Sequence, residues 1–470
     1  MPETAAFKTQ RFEASISVNS DSRIQRLNDK QYAKGDYVLY WMQQSQRAEE
    51  NHALEYAVRK ANAVNLPVLV AFGLANGYPE ANLRHYTFML EGLREVRKEL
   101  AKRKILFVAR HGEPPDVALR LGRRASCIVC DRGYLRHQVL WREQVAREAR
   151  CLVEQVECDV IVPVDAVSEK RESSARAFRP KVMRLHRLFL DGINPVSPAV
   201  ASASMALESL NLDDDAAVFG PLSIDTSIRP VSMFAGGTTA AKTRLARFVR
   251  SRLAGYAQNR NQPHLDYVSQ MSPYLHFGQI SPAYIARKIY GSSSGEKADR
   301  DSYLDEFIVR RELSFNFVRH VPDYDRFSSL PEWARASLLK HAADRRSHVY
   351  NMARLDAAQT DDPYWNAAMN EMKHTGYMHN HMRMYWGKQI LAWSRSPETA
   401  FSNALALNNK YLLDGRDPNS YSNIGWIFGL FDRPWPEREV FGVIRSMTRG
   451  GLERKTDADA YVAKVRRLIG

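Results

Sequence analysis

Thr375-Gly376-Tyr377-Met378-His379-Asn380-His381-Met382-Arg383-Met384-Tyr385-Trp386-Gly387-Lys388-Gln389-Ile390-Leu391-Ala392-Trp393 is the stretch on which the fold turns. Its second half has helical periodicity and no proline, and Trp386 and Trp393 stand seven residues apart. That spacing sets two indoles on nearly one face of a helix, about 10 Å apart along its axis. Trp365 lies upstream in Asp362-Pro363-Tyr364-Trp365-Asn366, on an expected neighbouring helix. Three aromatic core residues would explain the apolar side. They do not explain His379, Asn380, His381 and Arg383 beside Met384, because a purely structural helix has no need of so many hydrogen-bonding groups near its buried face.

Outward from this stretch the chain is helical. Patterns of 3.6-residue period run over 242–255, 281–290, 301–319, 331–340, 364–372, 379–395 and 397–407, with few strand signals between them. The N-terminal half reads differently. Tyr37-Val38-Leu39-Tyr40-Trp41-Met42, Pro67 to Gly73, Ile105 to Ala109, Cys127 to Cys130 and Cys151 to Val156 are apolar runs of strand length. They alternate with helical patterns near 49–62 and 82–103, which predicts a doubly wound parallel sheet. The expected organisation is a polar, partly disordered segment 1–35, an α/β domain 36–190, a Pro/Ser/Ala/Asp-rich connection 191–241 and an all-α domain 242–470. No G-x-G-x-x-G or P-loop pattern occurs in the α/β half, although a ligand at the carboxyl ends of its strands is compatible with such a sheet.

The 470 residues carry 67 Lys and Arg against 53 Asp and Glu, a net charge of +14. That balance favours a polyanionic partner, nucleic acid first. Four cysteines are too few for a disulfide scaffold, and Cys127-Ile128-Val129-Cys130 lies in an apolar run. No second CxxC or histidine pair completes a zinc site, so no metal is expected. The N-terminus lacks an apolar signal region and no run approaches 18 apolar residues, so the expectation is a cytoplasmic protein without a membrane span, nucleoid-associated in a bacterium.

Four further constellations stand out. Ser269-Gln270-Met271-Ser272-Pro273 is a turn whose hydroxyls and backbone N–H groups suit phosphate oxygens, or simply cap the next helix. Glu306 and Arg310 are spaced i, i+4, which describes either a solvated ion pair or a carboxylate in a cleft. Asn408 to Tyr421 is denser in polar residues than a turn requires, and Arg433, Trp435 and Arg445 mix an indole with arginines, a combination suited to bases and phosphates.

Together these residues resemble the class II cyclobutane pyrimidine dimer photolyases of the photolyase/cryptochrome family. The likeness runs from Tyr40-Trp41-Met42 and Gln46 to Asn51, through Tyr86 to Leu93 and Phe178-Arg179-Pro180-Lys181. It continues through Ser272 to Ser281, Val309 to Leu313, Arg346 to Tyr350, Met382 to Trp386 and Leu413 to Asn419. The resemblance implies an α/β domain followed by a helical domain that binds FAD, active as the reduced anion. It implies UV-damaged DNA as partner, a flipped-out dimer as substrate and ring splitting by an electron from the light-excited cofactor. It implies Tyr256, Ser269, Gln270, Met271 and Ser272 around the FAD phosphates, with Asn380, Arg383, Asn408 and Asp414 around the flavin. Val268, where relatives often carry Thr, offers no hydroxyl. By the same resemblance Glu306 contacts the dimer with Met384 nearby, and Arg260, Trp426, Arg433, Trp435 and Arg445 face the lesion and the opened duplex. Trp386, Trp365 and Trp393 match electron-transfer tryptophans, and Tyr350 extends their path. Phe315, Pro436 and Ser446 depart from the family pattern, which bears on fine DNA contacts and not on the reaction. A deazaflavin-type antenna in the α/β domain is compatible with the resemblance, and a monomer is expected. The alternatives are a cryptochrome-type photoreceptor and a basic nucleic-acid-binding protein without catalysis.

Overall fold

A computed structural model describes residues 22–469. Six strands form one sheet: β1 (Ile24–Arg26), β2 (Tyr37–Trp41), β3 (Val68–Leu74), β4 (Leu106–His111), β5 (Ala125–Asp131) and β6 (Leu152–Val156), in the order β1-β6-β5-β2-β3-β4. Strands β2 to β6 pair in parallel, whereas β1 pairs antiparallel with β6. The five strands expected from the sequence do pair in parallel, and β1 adds an antiparallel edge; the segment 1–35, expected to be polar and partly disordered, contains that edge strand, and its part before residue 22 lies outside the described residues. Ile-Gln-Arg is too short and too polar to announce itself as a strand. It serves at an edge, where one side of the strand meets water.

Alternation along β2 shows why helices cover both faces. Tyr37, Leu39 and Trp41 pack with α3 (Pro114–Gly122) and α4 (Arg136–Glu148), while Val38, Tyr40 and Met42 pack with α1 (His52–Ala63) and α2 (Leu83–Lys102). Successive strand side chains point to opposite faces, so a strand buried on both sides must be apolar throughout. Each such side chain fully buried contributes about 1.5–3 kcal/mol. Cys127, Cys130, Cys151 and Cys158 are buried and unbridged, with the first two inside β5.

From Thr238 the chain is helical. The elements that build the site are α5 (Thr238–Ser251), α6 (Ser272–His276), α7 (Pro282–Tyr290), α8 (Lys297–Leu304), α9 (Arg311–His320), α10 (Pro363–Thr375), α11 (Asn380–Trp393), α12 (Pro397–Tyr411), α13 (Pro418–Ile427) and α14 (Ala458–Ile469). Several starts are written in the sequence as an acceptor followed by proline. Asp362 accepts from the N–H groups of Tyr364 and Trp365 at 2.9 and 3.1 Å, Ser396 from Thr399 at 3.2 Å, and Asp417 from Asn419 at 2.9 Å. Proline then fills the first helical position, where no N–H is needed. Gly376, at φ +68°, ends α10 in the left-handed conformation that suits glycine.

The expected continuous helix 301–319 is broken. Between α8 and α9 the backbone forms a π-helix, Asp305–Arg310. Such turns are rare and concentrate at functional sites. Beyond it, Glu312 is buried and accepts from the backbone N–H groups of Ile161 and Val162 in the α/β half, the latter at 3.3 Å. Burial, partly offset by those bonds, pushes its carboxyl up to about 7. Arg84 of α2 reaches the other way, donating to the carbonyls of Lys373 and Tyr411 at 2.6 and 2.7 Å. It satisfies carbonyls near the C-termini of two helices, which otherwise have no intrahelical partner.

Helices α11 and α13 touch at Gly387. A Cβ there would stand 2.2 Å from Cδ1 of Ile427. Gly387→Ala is expected to cost about 1–3 kcal/mol through overpacking. Ile427→Val should recover part of that loss in denaturant unfolding; equal midpoints for Gly387→Ala and the parent would contradict the contact.

Candidate active site

A cavity of about 240 Å³ opens among α6, α8, the π-helix, the start of α11 and the loop into α13. Tyr256, Arg260, Ser269, Gln270, Met271, Ser272, Glu306, Asn380, Arg383 and Asp414 all line it. The turn ahead of α6 is held in shape. Gln270 has a left-handed backbone (φ +54°), and its side-chain oxygen accepts from Arg244, which also donates to the Met233 carbonyl at 2.6 Å. Ser269 Oγ accepts from the Tyr303 hydroxyl at 3.1 Å. Burial pushes the Tyr256 hydroxyl up to about 12, so it stays a neutral donor at physiological pH.

At the cavity's edge the π-helix presents Glu306 to two cations, Arg260 at 2.9 Å and Arg310 at 3.0 Å. The i, i+4 pair forms, but all three side chains are only 27–33% exposed, so it is a cleft group rather than a solvated one. Burial opposes the charge of Arg260, yet the carboxylate of Glu306 and the neighbouring Tyr256 outweigh it and hold the guanidinium above its usual range. The Arg310 guanidinium also lies 4.9 Å from the ring centre of Trp426, which ties that indole to the same edge.

Deeper in, Arg383 Nη2 donates to both carboxylate oxygens of Asp414 at 3.3 Å, with the two side chains 8% and 11% exposed. Asn408 does not line the cavity. Its Nδ2 donates at 3.0 Å to Ser420 Oγ, which does, and its Oδ1 has no partner among the described residues. Arg383 Nε and both terminal nitrogens of Arg311, both residues of the cavity wall, are likewise buried without partners among the described residues. Leaving such groups dry costs roughly 1–3 kcal/mol each, so a cluster of them marks a place built for a polar ligand.

The tryptophans form a line. Trp386 and Trp365 stack 6.4 Å apart at 11°, Trp365 meets Trp393 at 5.7 Å, and Trp393 meets Tyr350 at 5.2 Å. Trp365 Nε1 donates to the Trp386 carbonyl at 2.9 Å, which fixes the first pair. Trp386 follows Arg383 by one helical turn, so the line begins beside the cavity wall. Met384 packs half-buried against the core of the helical half. Arg433, Trp435 and Arg445 form a separate surface group. Both guanidinium centres lie within 5.5 Å of the Trp435 ring centre, and that indole is 37% exposed.

Arg311 is one of the cavity residues that sequence reasoning passed over, with Asn261, Tyr303 and Asn423 among the others. It was visible beside Arg310, but which of two adjacent arginines faces inward depends on the π-turn. A second, smaller cavity of about 80 Å³ lies where β2 and β3 end, walled by Tyr78, Trp141, Gln43, Gln138, His276 and Arg416 among others. It sits beside the point where the strand order reverses, the usual ligand position in such sheets. His276 Nδ1 lies 3.3 Å from Asp417, a wall residue of the larger cavity, so the two cavities share a partition.

A family model described as DNA photolyase matches residues 38–200. The deoxyribodipyrimidine photo-lyase of Methanothermobacter thermautotrophicus is 44% identical over 456 residues, covering 95% of this chain and 98% of that protein. In fold the chain is similar to a bacterial class III photolyase from Agrobacterium tumefaciens, with a TM-score of 0.70 at 18% identity, covering 93% of this chain and 87% of the other. It is also similar to a cryptochrome from Synechocystis, with a TM-score of 0.71 at 16% identity, covering 91% and 88%. At such identities the two structures speak for the fold alone.

Proposed function

The chain belongs to the DNA photolyase family, and from that premise we propose how its residues serve the reaction. It is a light-dependent DNA repair enzyme that splits cyclobutane pyrimidine dimers, a deoxyribodipyrimidine photo-lyase in reaction type. We assign it to class II on the arrangement of Trp386, Trp365 and Trp393, and we expect it to act as a monomer on UV-damaged DNA.

The observation that carries the site assignment is the cavity edged by Glu306 and lined with buried polar atoms that lack partners. The cofactor assigned to it is FAD, which when bound in its reduced anionic form supplies the photoexcited electron that opens the dimer. Tyr256 and the turn Ser269 to Ser272 offer hydroxyls and N–H groups to its phosphates. Arg383, paired with Asp414, sets a fixed positive charge in a site with little water, where it weighs more than in solvent. Asn408 contributes an amide one layer behind the wall, and Asn380 lines the rim. Glu306 accepts or shares a hydrogen bond with the extruded dimer, held in aim by Arg260 and Arg310, while Met384 and Trp426 offer apolar surface beside it. Arg433, Trp435 and Arg445 suit the opened duplex: stacking on the indole and phosphate pairing by the arginines. A planar antenna of deazaflavin type is assigned to the smaller cavity, where Tyr78 and Trp141 offer ring faces and edges and both heteroatoms of the Gln43 amide are unpartnered among the described residues.

Glu306→Ala is the direct test. Chemically reduced enzyme and a thymine-dimer oligonucleotide under near-UV light should lose dimers roughly tenfold or more slowly than the parent, the size of one lost hydrogen bond to a charged group. Repair at the parental rate would remove Glu306 from the substrate site.

A further inference from the structure

The line of indoles does not end at solvent. Trp393, its outermost member, is 6% exposed, and so is Tyr350 beyond it. What reaches water is the pair of groups around the phenol. Tyr350 Oη donates to Asp361 Oδ2 at 2.8 Å, and the Asp361 side chain is 68% exposed. The Asp361 backbone N–H donates back to the same oxygen at 3.1 Å. His348 stacks on the phenol ring at 5.8 Å and 9°, with its Nε2 3.4 Å from Asp361 Oδ2. The Arg354 guanidinium lies 5.1 Å from the ring centre.

We infer that Asp361 is the proton acceptor that lets Tyr350 end the electron path as a neutral radical. The inference rests on the proposed photoreduction role of the tryptophans. In that role the cofactor, when bound in its oxidised form, would supply the light-driven oxidant, and Trp386, Trp365 and Trp393 would carry the hole outward. Tyr350 then gives one electron to the Trp393 radical cation, which returns to neutral indole. The phenol O–H bond breaks in the same step and its proton passes to the Asp361 carboxylate, next to water and His348. Charge is conserved: the hole leaves as a proton, and an uncharged tyrosyl radical remains. Arg354 sets the order of events. A positive charge over the ring opposes a phenol radical cation, so oxidation without proton loss is penalised. A carboxylate already hydrogen-bonded to the phenol removes that penalty. Once the proton has gone, return of the electron requires the proton too, and the separated charge persists long enough for an external donor to act.

The test uses flash-induced transient absorption of the full-length protein with oxidised FAD bound. In the parent, a tryptophan-radical signal should give way to the narrow band of a neutral tyrosyl radical, more slowly in heavy water. Tyr350→Phe should remove that band. Asp361→Asn should slow its appearance by roughly a hundredfold, the usual weight of a positioned base; Asp361→Glu should restore the rate. A parental rate in Asp361→Asn, or tryptophan radicals that never give a tyrosyl band in the parent, would overturn the assignment of Asp361. Absence of any tryptophan radical in the parent would overturn the electron path itself, and the proton acceptor with it.

Discussion

Trp386→Phe is expected to stop light-driven reduction of the bound flavin while chemically reduced enzyme still splits dimers. Trp386 stands one turn from Arg383 on the cavity wall and stacks 6.4 Å from Trp365, so it is the first link of the line. Phenylalanine keeps an aromatic body in the same pocket but is far harder to oxidise. No hydrogen bond within the described residues is lost, because the indole Nε1 has no partner among them, and Trp365 bonds to the backbone carbonyl of residue 386, which the variant retains. The smaller ring leaves a void costing on the order of 2 kcal/mol, too little to unfold a domain of ordinary stability. The measurement is bleaching of oxidised-flavin absorbance under blue light with a thiol donor, beside repair by dithionite-reduced protein. Bleaching at the parental rate would mean that electrons reach the cofactor by another route.

The second large effect concerns the buried ion pair. Arg383→Met should leave Asp414 as an unpaired carboxylate that is 11% exposed, a loss of about 3–5 kcal/mol. Purified protein should carry much less flavin and unfold several degrees lower. Arg383→Met combined with Asp414→Asn separates the two consequences: stability should return, because no buried charge is stranded, whereas flavin content should stay low. Full flavin occupancy in the single variant would show that the guanidinium belongs to the fold and not to the cofactor site.

Some of this could be read before any coordinates. The strands β2 to β6 were legible because a strand covered on both faces is apolar without interruption, and several helix starts because Asp-Pro and Ser-Pro announce a cap. The edge strand β1 was not, since Ile24-Gln25-Arg26 answers to no hydrophobic pattern. Neither was the π-turn, because an extra residue in a helix changes backbone register without changing which side chains are apolar. The tryptophan line was legible only in part. Spacing placed Trp386 and Trp393 on one face, but Trp365 joins them through packing between α10 and α11. Arg311 needed the turn geometry, and the unpartnered atoms of Asn408 and Arg383 needed the whole cavity.

The π-helix at Asp305–Arg310 also bears on how such chains can change. One residue in a helix corresponds to about 100° of rotation, so the extra residue sets the phase between Glu306, aimed at the cavity edge, and Glu312, aimed at the backbone of Ile161 and Val162. Deleting any one residue of the turn would leave an unbroken helix, yet it would swing one of these carboxylates off its partners. A substitution here is a local event, whereas a deletion is a choice between the cavity edge and the joint between the helical half and the α/β half. Lineages that differ in length at this point should therefore differ in how the two halves are fastened together, and an alignment that closes the gap for the sake of a tidier match would pair residues that face about 100° apart around the helix.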